Sequence, residues 1–137
     1  MIRVYTDMVA DLFHRGHVEF LKKAKGLFPK MYLVVGIHSD ADVAKYKRFP
    51  VYCMEDRIEI VRACRYVDEV LPNAPLSITQ EWLAKHNIQW VTHAGMTDYL
   101  REVNYKVPID MGIMLLLPYY EGISTTDIMN RIKQDDS

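Results

Sequence analysis

Apolar residues run along this chain in two alternating rhythms. MYLVVGIH (31–38) is an unbroken β-branched and aromatic run, which predicts a strand buried on both faces. IRVYT (2–6), VDEVLP (67–72, stopped by Pro72), IQWVTH (88–93) and GIMLLLP (112–118) predict four further short strands. Helical spacing fills the intervals. Val18, Phe20, Leu21 and Ala24 share one stripe of a helix predicted over His17 to Leu27 and ended by Pro29. SDADVAKY opens with cap-type residues and predicts a short helix. MEDRIEIVRACRYV predicts another, with Ile58, Val61, Ala63 and Cys64 turned inward, and TQEWLAKHN a third. STTDIMNRI predicts a closing helix capped by Ser124 or Thr125, and the acidic end KQDDS is expected to fray.

Strands alternating with helices imply an α/β fold, a Rossmann-like open parallel sheet with helices on both faces, in a single domain over residues 1–137. In such sheets ligands bind beyond the carboxyl ends of the strands. TDMVADLFHRGH follows the first strand, HSDADVAKYK the second, HAGMTD the fourth and YYEGISTT the last, so the unusual polar sequence collects on one edge.

Composition narrows this picture by exclusion. The formal net charge of -1, from 17 basic and 18 acidic residues, offers no global field for nucleic acid. Cys53 and Cys64 form no C-x-x-C pair and fit free thiols in a reducing compartment. The amino-terminal sequence has no signal-peptide pattern, and no run approaches the ~20 apolar residues of a membrane span. The expected location is the cytoplasm.

His14 and His17 stand three positions apart at a helix start, where free N–H groups and the helix dipole attract anions, phosphate above all. Gly16 between them permits close approach. The competing reading is a capping histidine beside a core histidine; a metal pair lacks acidic or sulfur ligands at helical spacing. EGISTT (121–126) puts a glycine before hydroxyls at another helix start, a second anion site or a plain cap. Lys45, Lys47 and Arg48 make a small basic patch on the same edge, where His93 also ends a strand, while His38 and His86 look incidental. Two imidazoles, a lysine and a hydroxyl-rich helix start suit nucleotidyl transfer, in which the protein mainly positions phosphates and neutralises developing charge.

HRGH matches the H-x-G-H motif of the nucleotidyltransferase superfamily, and EGISTTDI resembles the R-T-E-G-I-S-T-[ST] signature of its cytidylyltransferase branch. VYTDMVADLFHRGH, AKGLFPKMYLVVGIHSD, CRYVDEVLPNAP and VTHAG resemble successive segments of the choline-phosphate and ethanolamine-phosphate cytidylyltransferases, from about Ile2 to Ile132. The resemblance implies condensation of CTP with phosphocholine or phosphoethanolamine to give the CDP-alcohol and pyrophosphate, a step toward phospholipids. It implies catalysis by His14, His17 and Lys47. It also implies nucleotide contacts from Val9, Ala10, His17, Lys47, His93, Glu121, Gly122, Ile123, Ser124 and Thr125, and acceptor contacts from Asp7 and Lys47. It further implies Mg²⁺ accompanying CTP, with no protein ligand assigned, and a homodimer through Arg65 to Val70. The chain departs from the family pattern at Met8, Val9 and Ala10 (G-[IT]-F), at Tyr119 and Tyr120 (Arg-Thr), at Ala94 (Asp) and at Leu76 (the Trp of the choline enzymes). Two other readings stand beside the first: a nucleotide-binding relative without catalysis, and transfer to another small phosphate such as glycerol 3-phosphate.

Overall fold

The computed structural model describes residues 1–135. Five parallel strands, β1 (Ile2–Met8), β2 (Met31–Ile37), β3 (Glu69–Leu71), β4 (Trp90–Ala94) and β5 (Met114–Leu117), form one sheet in the order β3-β2-β1-β4-β5. The order reverses beside β1, so the crevice at the carboxyl ends of β1 and β4 is the topological switch point. β1 and β2 are continuously buried because helices cover both faces. One apolar layer packs Val4, Leu33, Val35 and Ile37 against Leu21 and Ala24 of α1 (Arg15–Lys25) and Ile58 and Val61 of α3 (Met54–Arg62). The opposite layer packs Tyr5, Val34, Leu71 and Val91 against Ile78 and Leu83, the latter on α4 (Gln80–Lys85).

Helix starts follow ordinary capping chemistry at three places: Ser39 for α2 (Asp40–Tyr46), Thr79 for α4, and Ser124 before α6 (Thr125–Asp135). Several boundaries differ from the pattern reading. β1 runs on to Met8, and α1 begins at Arg15 because the His14 imidazole caps it. α3 ends at Arg62, leaving Ala63 exposed rather than inward. α6 continues through Lys133 to Asp135, so those residues are helical rather than frayed; Asp136 and Ser137 of the same tail lie outside the described residues. Between β4 and β5 the chain forms a π-helical turn (Leu100–Asn104) and α5 (Lys106–Asp110), both silent in the sequence pattern. Among the described residues no helix is long and apolar enough to cross a membrane.

Candidate active site

The two motif histidines form a reciprocal cap. The Gly16 N–H donates to His14 Nδ1 at 2.9 Å, and the His14 N–H donates to His17 Nδ1 at 3.1 Å. Each Nδ1 is therefore an acceptor, which places the proton of the neutral ring on Nε2 in both residues. The ring centroids are 4.1 Å apart. Burial, then the neighbouring His14, lowers the His17 pKa to about 4, and burial also lowers that of His14 against the pull of Asp127. Both rings are uncharged at neutral pH. They present paired Nε2–H donors at the start of α1, where the helix adds its own N–H groups.

Two loops lock this corner. The buried Asp11 carboxylate accepts from Val51 N–H at 2.8 Å and Tyr52 N–H at 2.9 Å, and it faces Arg48 at 3.8 Å. Arg57, with no exposed surface, donates to the Tyr52 carbonyl, to the Val9 carbonyl at 2.8 Å and to Asp40 at 2.7 Å. The Val9 carbonyl is thus held by Arg57, and Ala10 adopts the left-handed region at φ 58°. Lys47 ends α2 and is exposed overall. The protein around its ammonium, then Arg48, lowers its pKa, with Asp11 opposing, and its charge helps keep His17 neutral.

The second helix start converges on the first. Thr125 Oγ1 donates to the Asp11 carbonyl at 3.1 Å, and a Cβ on Gly16 would stand 3.1 Å from the Ile123 carbonyl. Ser124 and Asp127 cap each other, so the Ser124 N–H is already taken by the Asp127 carboxylate. Glu121 and Gly122 stay exposed, with the Tyr120 ring against Gly122 and Arg15 lying 5.7 Å over that ring. Tyr119 packs on Gly95, whose φ of 71° and close ring contact leave no room for a side chain.

On the other face, Asp7 stands next to last in β1 at 4 % exposure. The Tyr105 hydroxyl donates to its Oδ1, and burial followed by the Asp7 charge raises the Tyr105 pKa far above the phenol range. His93 places its ring 4.7 Å from that of Tyr105 and holds the Gly95 carbonyl through Nδ1 at 3.0 Å. His38, 6 % exposed, sits between Asp7 and the Ala74 carbonyl. The structure thus ties His38 to Asp7 and brings Tyr105, which no motif signals, against the same carboxylate. His86 stays outside, edge-on to the Trp82 ring at 4.3 Å. The carboxyl edge of the sheet thus carries His14, His17, Thr125 and the 121–124 loop at the start of α1, with Lys47 near His17, and Asp7 in β1, His93 in β4 and Tyr105 before α5.

A doubly wound sheet with two helix starts and paired neutral imidazoles at its switch point is an arrangement suited to anions. The chain belongs to the cytidylyltransferase-like family, whose model matches residues 6–131. It is 43% identical to choline-phosphate cytidylyltransferase A of Mus musculus, over 98% of this chain and 37% of that protein. It is 40% identical to the choline-phosphate cytidylyltransferase of Saccharomyces cerevisiae (98% and 32%) and 38% identical to the ethanolamine-phosphate cytidylyltransferase of Dictyostelium discoideum (94% and 37%). The chain thus spans about a third of the length of these relatives. Its fold matches a crystal structure of the lipopolysaccharide core biosynthesis protein from Thermoplasma volcanium GSS1, with a TM-score of 0.71 at 21% identity over 88% of this chain and 99% of that one.

Proposed function

We propose that this chain is a CTP-dependent nucleotidyltransferase that condenses CTP with a phosphorylated amino alcohol, phosphocholine or phosphoethanolamine. The observation that carries the reading is the reciprocal cap that makes His14 and His17 neutral Nε2–H donors beside the start of α6. A phosphate oxygen of the acceptor attacks the α-phosphorus of CTP, the bond to the β-phosphate oxygen breaks, and pyrophosphate leaves with that electron pair. Negative charge grows on the α-phosphate oxygens, and pre-organised donors aimed there favour the transition state. Lys47 adds a mobile positive charge for the two approaching phosphates. His93 and the 121–125 loop hold the nucleotide, and Asp7 faces the acceptor's nitrogen. Among the described residues no three His, Cys, Asp or Glu side chains group as a metal site. Mg²⁺, which binds readily through phosphates, would ride on CTP and supply further charge neutralisation.

We further propose that the chain forms a homodimer. Asp68 and Glu69 are spent within the chain on Lys25 and Arg3, so a contact at Arg65 to Val70 would use the exposed Arg65 and the free edge of β3. Two free cysteines, one exposed, favour the cytoplasm. The test is pyrophosphate release from CTP across a panel of phospho-alcohols, with His14→Ala and His17→Ala as controls. Release with the amino alcohols and a loss of about a hundredfold or more in each folded variant is expected. Release with glycerol 3-phosphate alone, or variants that match the parent, would overturn the reading.

A further inference from the structure

Arg15 stands where helix chemistry disfavours it. It is the first residue of α1, at the positive end of the helix dipole, and the first turn holds no acidic residue to offset it. Its contacts are weak. Glu19 lies 3.6 Å from its Nε, yet the Arg15 side chain stays 72% exposed. An i,i+4 pair with the cation on the N-terminal side is also the less favourable order. The guanidinium lies 5.7 Å from the centre of the Tyr120 ring, close to the ~6 Å limit of a cation–π contact. Helix stability therefore gives no reason for an arginine at this position. A residue that breaks a local rule without a structural return points to function.

The surroundings say which function. His14 and His17 cap the same helix start. The Tyr120 ring, which carries the guanidinium, lies against Gly122 in the loop before α6. Beside Arg15, a Cβ on Gly16 would stand 3.1 Å from the Ile123 carbonyl of that same loop. Arg15 thus reaches from one anion-attracting helix start toward the other. The closing signature offers no arginine of its own, since Tyr119 stands there, 64% exposed and packed on Gly95. The other cations near the site have different stations. Arg48 faces Asp11 at 3.8 Å, Arg57 is held by Asp40 and two carbonyls, and Lys47 ends α2 near His17.

We propose that Arg15 binds the β- and γ-phosphates of CTP and replaces, from the first helix start, the cation that position 119 lacks. This rests on the function proposed above and adds a residue to its site. Tyr120 is the positioning residue: its ring keeps the guanidinium beside the 121–125 loop until the triphosphate arrives. The forked N–H donors then engage two phosphate oxygens at once, which a lysine at this place would not do. The division of labour follows from placement. His14 and His17 serve the α-phosphate, and Arg15 serves the group that leaves. As the bond from the α-phosphorus to the bridging oxygen breaks, charge passes to the departing pyrophosphate. The guanidinium keeps all its protons and neutralises that charge.

The experiment compares the native chain with Arg15→Gln, which keeps a polar side chain but removes its charge. Calorimetry with Mg²⁺ gives Kd for CTP and CMP, and pyrophosphate release gives kcat and KM. Arg15→Gln should bind CTP about tenfold or more weakly, as for loss of a charge-assisted contact, and CMP as well as the native chain does. kcat/KM for CTP should fall at least as far, with KM for the acceptor unchanged. The melting temperature should hold or rise, because a cation leaves the positive end of α1. Adding Tyr119→Arg to Arg15→Gln should restore most of the lost CTP affinity, a larger gain than the same substitution gives in the native chain. Unchanged CTP affinity in Arg15→Gln overturns the inference. So does a variant that melts earlier and loses CMP along with CTP, which marks a structural residue. If the native chain binds CTP yet releases no pyrophosphate, the cytidylyltransferase reading falls, and the comparison of CTP with CMP still decides Arg15. A native chain that binds no CTP overturns both.

Discussion

Gly16→Ala separates the site from the fold more cleanly than removing either histidine. A Cβ on Gly16 would lie 2.6 Å from His14 Cε1 and 2.9 Å from His14 Nδ1, with the Ile123 carbonyl 3.1 Å away on the other side. The helix cannot shift toward α6, so the His14 ring must swing off its cap. Alanine returns about 1 kcal/mol of helix propensity relative to glycine. Losing the Nδ1 bond to the Gly16 N–H removes about the same. Net stability should therefore change little, and the melting temperature should stay within a few degrees. Turnover should fall about a hundredfold, as for loss of one pre-organised donor. Thermal denaturation and pyrophosphate release on one preparation read both quantities. Parental turnover in a folded Gly16→Ala would refute the claim that His14 must hold this place.

Three further outcomes follow from the same geometry. Burial and His14 hold the folded His17 pKa near 4 against an ordinary 6.5, so unfolding takes up a proton between those values. Stability should accordingly fall as pH drops through that window, by about 3 kcal/mol at most, and stay flat above it for this residue. Melting at pH 5 and pH 7 should then differ less in His17→Ala than in the parent; an equal difference sinks the assignment. Tyr119→Arg replaces an exposed ring with a cation near the nucleotide loop and should tighten CTP up to about fivefold by calorimetry, a surface ion pair's worth. Unchanged or weaker binding would show that Lys47 and Arg48 already meet that need. Light scattering at micromolar concentration should give a dimer for the parent and a monomer for Arg65→Glu; a monomeric parent rejects the Arg65 to Val70 contact.

Much of the sheet was legible because β1 and β2 are buried on both faces, and continuous apolar runs report that directly. The start of α1 was misplaced by two residues for a chemical reason: an imidazole does the capping that serine or aspartate usually does. His14, His17 and the 121–125 segment were visible through their motifs. Tyr105 was not, since it follows a π-helical turn with no apolar period. The contact of His38 is not legible in the sequence because its partner is remote along the chain. Only the parallel register that pairs Asp7 with Gly36 and Met8 with Ile37 carries His38 to the Asp7 carboxylate. The departures at 119 and 120 likewise acquired meaning only from packing, where the two rings cover Gly95 and Gly122.

The most direct test of the central claim is a ³¹P spectrum of the native chain incubated with Mg²⁺, CTP and phosphoethanolamine. The triphosphate signals should give way to equal amounts of a CDP-alcohol diphosphate and pyrophosphate, at a rate that collapses in His17→Ala. CTP that binds, broadens and stays intact with every phospho-amino alcohol offered would contradict it and leave a nucleotide-binding protein without transfer activity.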